Sequence, residues 1–230
     1  MKLQSKEERT RKSISARIEV PTDQEKGPTK TMTPNDIAKA YNQITHLWES
    51  KNFNRQNGIE QHKRALTLVK NKGKALDVGC GCTGRFIDLL LSEGFSPEGV
   101  DISDEMVRLA RKRHPDIKFH HQNICEWISG EKYDFITAWD SIWHVPLSQQ
   151  EKVLAKLVSW LNPGGVLIFS FGGTDKAEDS IDDFMGPTVY YSTLGINGFL
   201  NLFIKLGCTC RHLEYDQYPE LHSWLIVQKS

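Results

Sequence analysis

The sequence predicts one α/β domain built on a doubly wound, mostly parallel sheet of seven strands, with helices on both faces. Short apolar segments alternate with amphipathic ones from about residue 70 onward, which is typical of such a sheet. A glycine-rich turn lies within ALDVGCGCTGRF, residues 75 to 86. The last two apolar segments are joined by only YPEL, which is too short for a parallel crossover, so they predict a C-terminal antiparallel hairpin.

The first 70 residues predict an arm and two helices. Residues 1 to 32 mix charges of both signs with Ser, Thr and Pro and lack a sustained apolar period, so we expect a flexible arm. A partner-binding or targeting segment is the alternative. Thr33 and Pro34 are typical of a helix start, and an apolar stripe follows them at helical spacing. A second helix is expected to include residues 58 to 70.

The alternation then runs in order along the chain. Strands are predicted at residues 75 to 79, 96 to 102, 117 to 124, 133 to 139 and 166 to 171. Helices are predicted at residues 85 to 94, 104 to 114, 149 to 161 and 195 to 207. Ser103 is expected to cap the second of these helices, and Ser148 with Glu151 to form a capping box at the third. Residues 161 to 165 predict a turn, and residues 172 to 192 a long acidic loop of the lid or recognition type.

Composition disfavours several classes of function, although a local basic patch could still exist. Lys and Arg together number 29, as do Asp and Glu, so no overall field attracts nucleic acid or an acidic membrane. No apolar run approaches the ~18 residues of a membrane helix, and no secretory signal is visible, so we expect a soluble cytoplasmic protein. Five cysteines, an odd number, predict reduced thiols.

Two CxC pairs, Cys80 with Cys82 and Cys208 with Cys210, raise the alternative of a four-ligand zinc site. The first pair lies inside the glycine-rich turn, which disfavours this alternative. The acidic residues do not fall at metal-ligand spacings either. We therefore expect no metal.

The glycine turn predicts a ligand site. A strand, a glycine loop and a helix start present unpaired backbone N–H groups to an anionic or polar ligand, although tight turns use glycine for conformational reasons as well. Asp77 stands two residues before Gly79, and Asp101 ends the next strand, where a carboxylate can accept hydrogen bonds from a ribose. These features indicate a nucleoside-binding site.

LDVGCGCTG, Asp101, YDFITAWDSIWHV, LNPGGVLIFS and the terminal hairpin together resemble the class I S-adenosylmethionine-dependent methyltransferases, over about residues 70 to 230. The resemblance implies a Rossmann-like fold, S-adenosylmethionine as cofactor, and a helical lid within residues 33 to 70. A dinucleotide reductase would not be expected to have the acidic residue before the first glycine or the hairpin.

The resemblance also implies roles for residues. The glycine loop would hold the methionine part of the cofactor, Asp101 the ribose, and Asn123 the adenine amino group, in place of the family's usual acidic residue. Asn123 as a loop residue capping a turn is the alternative. We add Trp139 as an aromatic shield for the sulfonium. The expected cofactor residues are Asp77, Gly79, Cys80, Gly81, Gly84, Asp101, Ile102, Met106, Asn123, Ile124 and Trp139.

The acceptor is expected beyond the methyl group, near WDSIWHVP, residues 139 to 146. His144 is the candidate base because imidazole titrates near neutrality; a structural bond to backbone is the alternative. His222 is a weaker candidate of the same kind. Acids in residues 172 to 192 suit a cationic amine, or simply solvation of an exposed loop. The expected pocket residues are Tyr41, Trp48, Asp140, Ser141, Trp143, Tyr190 and Tyr191, with core packing as the alternative for the aromatic ones.

The predicted function is transfer of a methyl group to O, N or S of a small molecule. WDSIWH differs from the (Asp/Asn)-Pro-Pro-aromatic signature of base methylation in nucleic acids, which agrees with the neutral charge. The alternatives are a non-catalytic S-adenosylmethionine-binding protein, a nicotinamide-dependent oxidoreductase and a protein methyltransferase. The sequence leaves the oligomeric state open.

Overall fold

A computed structural model describes residues 32 to 230. The predicted arm, residues 1 to 32, lies outside the described residues except for Met32. The helices are α1 Pro34–Glu49, α2 Ile59–Leu66, α3 Arg85–Ser92, α4 Asp104–Arg113, α5 Leu147–Trp160 and α6 Gly195–Lys205. The strands are β1 Lys74–Val78, β2 Ser96–Asp101, β3 Lys118–His121, β4 Tyr133–Ala138, β5 Leu161–Gly172, β6 Glu178–Asp182, β7 Val189–Thr193, β8 Cys208–Tyr215 and β9 His222–Lys229.

Seven strands form one sheet in the order β3-β2-β1-β4-β5-β9-β8. The first five are parallel to one another, and β9 runs antiparallel to both β5 and β8. The predicted mostly parallel sheet with a C-terminal hairpin is therefore confirmed. The strand order reverses between β1 and β4, and an open α/β sheet has its ligand crevice beside such a switch point.

Helices cover both faces of this sheet. On one face Leu154 of α5 and Phe199 of α6 pack with Phe169 of β5. On the other face Leu66 of α2 and Leu90 of α3 belong to a second apolar cluster. The central strands are buried on both sides, which is why they read as continuous apolar runs rather than as an alternating pattern.

Helix α1 lies outside the two layers and is attached to α4. Thr33 and Asp36 form the capping box that starts α1. Further along, the Asn42 side-chain oxygen accepts a hydrogen bond from the Ser103 hydroxyl at 2.6 Å, and its amide nitrogen donates to Asp104 at 2.6 Å. The N-terminus of α4 thus holds α1 beside the carboxyl ends of the strands.

One predicted capping interaction and two predicted boundaries are wrong. The capping box of Ser148 and Glu151 does not form, because α5 begins at Leu147 and Ser148 already lies in its first turn. Strand β5 begins at Leu161 instead of after the turn, since its pairing with β4 includes an irregularity before Val166. Helix α2 ends at Leu66, well before residue 70.

The acidic segment 172 to 192 is more ordered than a loop. Strands β6 and β7 pair antiparallel and form a separate two-stranded ribbon. Buried Val189 and Tyr191 pack with Ile37 of α1 and with Trp143, so one apolar face holds the ribbon in place. The acidic residues around them obscure this alternation in the sequence. No helix among residues 32 to 230 has the length and apolar content needed to cross a membrane.

Candidate functional site

A pocket opens at the carboxyl ends of β1, β2 and β4, under α1. It contains about 690 Å³ of empty space, including space open to solvent. Its lining residues are Pro34, Ile37, Tyr41, Val78, Gly79, Val100, Asp101, Ile102, Gln122, Asn123, Ile124, Cys125, Asp140, Ser141, Ile142, His144 and Val145.

The glycine loop approaches the turn after β4 too closely for a side chain at Gly79. A Cβ atom there would lie 2.3 Å from the Cβ of Ser141, and the backbone has a φ of 69°. Gly84 serves a different contact, since a Cβ at that position would lie 2.3 Å from the imidazole of His114. The first glycine therefore shapes the pocket, whereas the last one allows packing against the end of α4.

Asp101 at the end of β2 is fixed by the backbone around it. Its carboxylate accepts an N–H bond from Gly81 at 2.9 Å and another from Ser103 at 2.9 Å. Burial raises the pKa of Asp101, and these N–H bonds oppose that rise. The carboxylate consequently links the glycine loop to the second strand at the pocket wall.

Asn123 lines the pocket and also stabilises its own turn. Its amide oxygen accepts the N–H of Cys125 at 3.0 Å. The carbonyl oxygens of Ile124 and Trp127 both accept hydrogen bonds from the ammonium group of Lys156 on α5. The loop after β3 is thus fixed from inside by Asn123 and from outside by Lys156.

Asp77 is a buried carboxylate behind the glycine loop, with 2% of its surface exposed. Burial raises the pKa of Asp77 to about 7, against the opposing positive charge of Arg85. A buried carboxyl group is suited to a cationic ligand group, because a positive charge beside it stabilises the ionised form.

His144 ends a 3-10 turn, Ile142–His144, that follows β4. Its Nδ1 lies 2.8 Å from the Tyr190 carbonyl oxygen, while its Nε2 lies 3.0 Å from the indole nitrogen of Trp143 and 2.6 Å from the Tyr41 hydroxyl. A carbonyl only accepts and an indole N–H only donates, so the proton is on Nδ1 and Nε2 accepts. Burial lowers the pKa of His144 to about 4, and the ring is neutral.

Asp140 stands between β4 and this turn in a left-handed conformation, with a φ of 53°. Its carboxylate accepts a hydrogen bond from Ser170 on β5 at 3.0 Å and from Asn57 at 3.2 Å. The same carboxylate lies 3.2 Å from Nε2 of His222, the first residue of β9. Pairing of β9 with the end of β5 brings His222 to this edge of the sheet.

The structure brings together part of the predicted site. The predicted residues that line the pocket are Tyr41, Gly79, Asp101, Ile102, Asn123, Ile124, Asp140, Ser141 and His144. The predicted residues outside its lining are Trp48, Asp77, Cys80, Gly81, Gly84, Met106, Trp139, Trp143, Tyr190 and Tyr191.

Several of the residues outside the lining have other contacts. The Tyr190 hydroxyl binds the backbone N–H of Leu147 at 3.1 Å and Asp179 at 2.9 Å, so it is directed at the start of α5. Trp48 packs on Tyr41 with ring centroids 5.3 Å apart. Trp139 is buried in the apolar cluster beneath the pocket.

Other lining residues were not predicted. They are Pro34, Ile37, Val78, Val100, Gln122, Cys125, Ile142 and Val145. Most of them immediately precede or follow a strand end or a predicted site residue, which is the signal that could have identified them. His62 lies outside the lining: its buried ring packs against Trp139 and is hydrogen-bonded to the Gly58 carbonyl and the Thr137 hydroxyl, and burial lowers its pKa to about 3.

The zinc alternative is not supported by the positions of the cysteines. Cys80 follows β1, a central strand, at its carboxyl end. Cys208 begins β8, the outermost strand, and β4, β5 and β9 lie between the two cysteines. No group of three or more His, Cys, Asp or Glu side chains suited to a metal ion occurs among residues 32 to 230.

The sheet order, the glycine loop and the pocket above the switch point define the fold of the S-adenosylmethionine-dependent methyltransferases. Residues 51 to 193 match the methyltransferase domain family, and the chain belongs to that family. One solved structure with this fold is the magnesium protoporphyrin IX methyltransferase of Synechocystis PCC 6803 with bound SAH. It has a TM-score of 0.66 and 17% identity over 86% of this chain and 99% of that one.

Two sequence relatives are similar over a shorter stretch. A dTDP-3-amino-3,6-dideoxy-alpha-D-glucopyranose N,N-dimethyltransferase of Streptomyces fradiae is 28% identical over 138 residues, 58% of this chain and 52% of that protein. A phosphoethanolamine N-methyltransferase of Plasmodium falciparum is 26% identical over 140 residues, 58% of this chain and 53% of that protein. The chain matches about half the length of these relatives.

The protonation of His144 can be tested directly. We expect nitrogen-15 NMR to show a neutral ring with its proton on Nδ1 from pH 8 down to pH 5, because burial lowers its pKa to about 4. The His144→Gln spectrum assigns the signal. A ring that gains its second proton near pH 6.5, the ordinary value for histidine, would contradict the geometry described above.

Proposed function

We propose that this protein transfers a methyl group from S-adenosylmethionine to the amino group of a small molecule. The observation that supports this most is the charge of the pocket. Among its lining residues the charged side chains are Asp101 and Asp140, and the lining contains no Lys or Arg. Such a wall attracts a cation and repels a carboxylate or phosphate placed directly against it.

The residues around the glycine loop fit the cofactor. Asp77 has a buried carboxylate whose pKa burial raises to about 7, and the α-ammonium group of the methionine part would supply an ionic partner for it. Asp101 would accept the ribose hydroxyls, and Asn123 with the backbone of Ile124 would lie against the adenine. The bound cofactor would supply a methyl group on a sulfonium, which is already activated for displacement.

We call the part of the pocket beside Asp140 and His144 the acceptor half. Its polar groups suit an amine. Asp140 would attract the ammonium form, and Nε2 of His144 would accept an N–H of the acceptor in place of the Tyr41 hydroxyl, sharing its lone pair with the Trp143 indole N–H. Among relatives, the Streptomyces fradiae and Plasmodium falciparum proteins are named as N-methyltransferases, which favours nitrogen. A malonyl-[acyl-carrier protein] O-methyltransferase is also similar, so oxygen is the competing acceptor.

The chain's residues would act mainly by orientation. Asp140 would hold the acceptor's ammonium group, whose proton would leave toward His144 Nε2 or water, so that the freed nitrogen lone pair is directed at the cofactor. Orientation contributes up to ~7–11 kcal/mol, whereas general-base help contributes about 3–5 kcal/mol. With a pKa of about 4, His144 is a weak base at pH 7. We therefore assign it chiefly the task of aligning the acceptor.

Acceptor chemistry is tested with a panel of small amines and alcohols in pairs that share one carbon skeleton, such as benzylamine with benzyl alcohol. Methyl-labelled S-adenosylmethionine reports turnover by mass spectrometry. We expect label in the amines and at least ~10-fold less in the matched alcohols. Label confined to alcohols would identify an O-methyltransferase, and label in added protein alone a protein methyltransferase. Adenosylhomocysteine binding without turnover would indicate a non-catalytic binder, and binding of NADH without adenosylhomocysteine an oxidoreductase.

Cofactor binding should depend on pH through Asp77. The carboxyl group has a pKa of about 7 in the free protein and must be ionised to pair with the α-ammonium group. Protonation therefore competes with binding below pH 7, and the affinity for adenosylhomocysteine should be about tenfold higher at pH 8 than at pH 6. Calorimetry measures this ratio. Asp77→Asn should bind more weakly and remove the pH dependence, whereas exposed Asp116→Asn should keep it.

Turnover should depend on His144. We expect His144→Gln to lower kcat by ~100-fold, because the acceptor loses the aligned Nε2 lone pair. The affinity for adenosylhomocysteine should change by less than about threefold, since the imidazole lies on the acceptor half. His46→Gln, an exposed position on α1, is the matched control. A fully active His144→Gln enzyme would assign His144 a structural role only.

A further inference from the structure

His222 is a buried histidine held between two carboxylates. Its side chain is 0% exposed, with Nδ1 lying 2.5 Å from Asp216 Oδ1 and Nε2 lying 3.2 Å from Asp140 Oδ1. An ionised carboxylate only accepts hydrogen bonds, so both ring nitrogens must donate for both contacts to be bonds. A histidine that donates from both nitrogens is a positively charged imidazolium.

The surroundings of His222 favour that charge. Burial alone lowers its pKa, but the hydrogen bonds and charges of Asp140 and Asp216 outweigh burial and raise the pKa to about 9. The indole rings of Trp139 and Trp143 flank the imidazole, with centroid separations of 5.5 and 5.9 Å. These rings exclude water, and exclusion of water strengthens the attraction between the three charges.

Each member of the trio belongs to a different part of the chain. Asp140 follows β4, His222 begins β9, and Asp216 follows β8. Asp216 is held in turn by Gln61 of α2, whose amide nitrogen lies 3.3 Å from its second carboxylate oxygen. The end of the C-terminal hairpin is thereby connected to the residue at the pocket wall.

Asp140 is the member that faces the pocket. A left-handed φ of 53° is uncommon for a residue with a side chain and persists only where its surroundings enforce it. Bonds from Ser170 and Asn57 fix the carboxylate together with the bond from His222. The negative charge of Asp140 also raises the pKa values of other titratable groups around it, which are Tyr41, His62, Arg85, His144 and Tyr191.

We propose that His222 is a positioning residue: as an imidazolium held by Asp216, it fixes the Asp140 carboxylate at the wall of the acceptor site. This inference rests on the proposed function. Two carboxylates and one imidazolium leave one net negative charge, and Asp140 presents it to the acceptor. His222 itself does not touch the acceptor and acts only through Asp140.

Loss of the His222 proton would leave a neutral ring that can donate from one nitrogen only. One carboxylate would then lose its donor, and Asp140 and Asp216 would repel each other in a buried site. Alignment at Asp140 should therefore fail as the pH rises through about 9. Removing the charge of Asp216 should lower the pKa of His222 and move this failure to lower pH.

The test compares the wild type with Asp216→Asn, which keeps the shape of the side chain and removes its charge. Nitrogen-15 NMR of the free protein should show His222 doubly protonated at pH 7.5 in the wild type, with loss of the proton at least one pH unit lower in Asp216→Asn. The alkaline limb of kcat, measured with the best amine of the panel, should move down by the same amount. The amine's own titration is common to both proteins.

His222→Gln supplies the second comparison. For His222→Gln we expect a 10- to 100-fold lower kcat, adenosylhomocysteine affinity within about threefold of the wild type, and loss of the part of the alkaline limb that depends on His222. Asp116→Asn, an exposed aspartate, should leave the profile unchanged. If circular dichroism shows that His222→Gln does not fold, the comparison between the wild type and the isosteric Asp216→Asn variant tests the proposal by itself.

Two results would overturn the inference: a singly protonated His222 at pH 7.5, or an alkaline limb that Asp216→Asn leaves in place. The NMR titration requires no acceptor, so it is decided even if no amine is methylated. Failure of the proposed function would appear in the panel, with the titration of His222 as described. If an alcohol proves to be the acceptor, the same kinetic comparison is made with that alcohol.

Discussion

The close approach of the glycine loop to the turn after β4 is the constraint on which the pocket depends. Gly79 leaves no room for a side chain next to Ser141, and the Ser141 hydroxyl donates to the Val78 carbonyl at 2.8 Å. The two chain segments are therefore joined across the switch point of the sheet. Because β1 and β4 are adjacent parallel strands, their carboxyl ends open at one edge, and Asp101 and Asp140 lie on the two sides of this junction.

Three histidines near this junction differ in charge because their partners differ. His62 and His144 each bond to a backbone carbonyl, and burial keeps both rings neutral. His222 has two carboxylates as partners, and they hold it charged in spite of burial. Desolvation lowers the pKa of all three, and the nature of the hydrogen-bond partner decides the charge. A neutral acceptor at His144 and a fixed anion at Asp140 follow from this difference.

The parts of the pocket outside the sheet come from segments that depend on it for their order. Helix α1 is attached to α4 through Asn42, and the β6–β7 ribbon packs on α1 and Trp143 through a few apolar residues. The ribbon also supplies the Tyr190 carbonyl that fixes the tautomer of His144. Neither segment has a core of its own, so their positions follow from contacts with the sheet and with each other.

Sequence by itself determined the sheet, its hairpin and the glycine loop, because these depend on local signals: apolar runs, turn residues and the length of a connection. It also indicated Asp101, Asn123, Asp140 and His144, which lie at the end of a strand or in the segment that follows one. It missed the β6–β7 ribbon, because acidic residues conceal the strand pattern there. It also missed the pairing of the first residues of β5, because the LNPGG sequence is typical of a turn. Only the tertiary structure decided which predicted residues line the pocket and what charge each histidine has. Those properties depend on partners such as Tyr190 and Asp216, far along the chain, and on burial, neither of which a local pattern records.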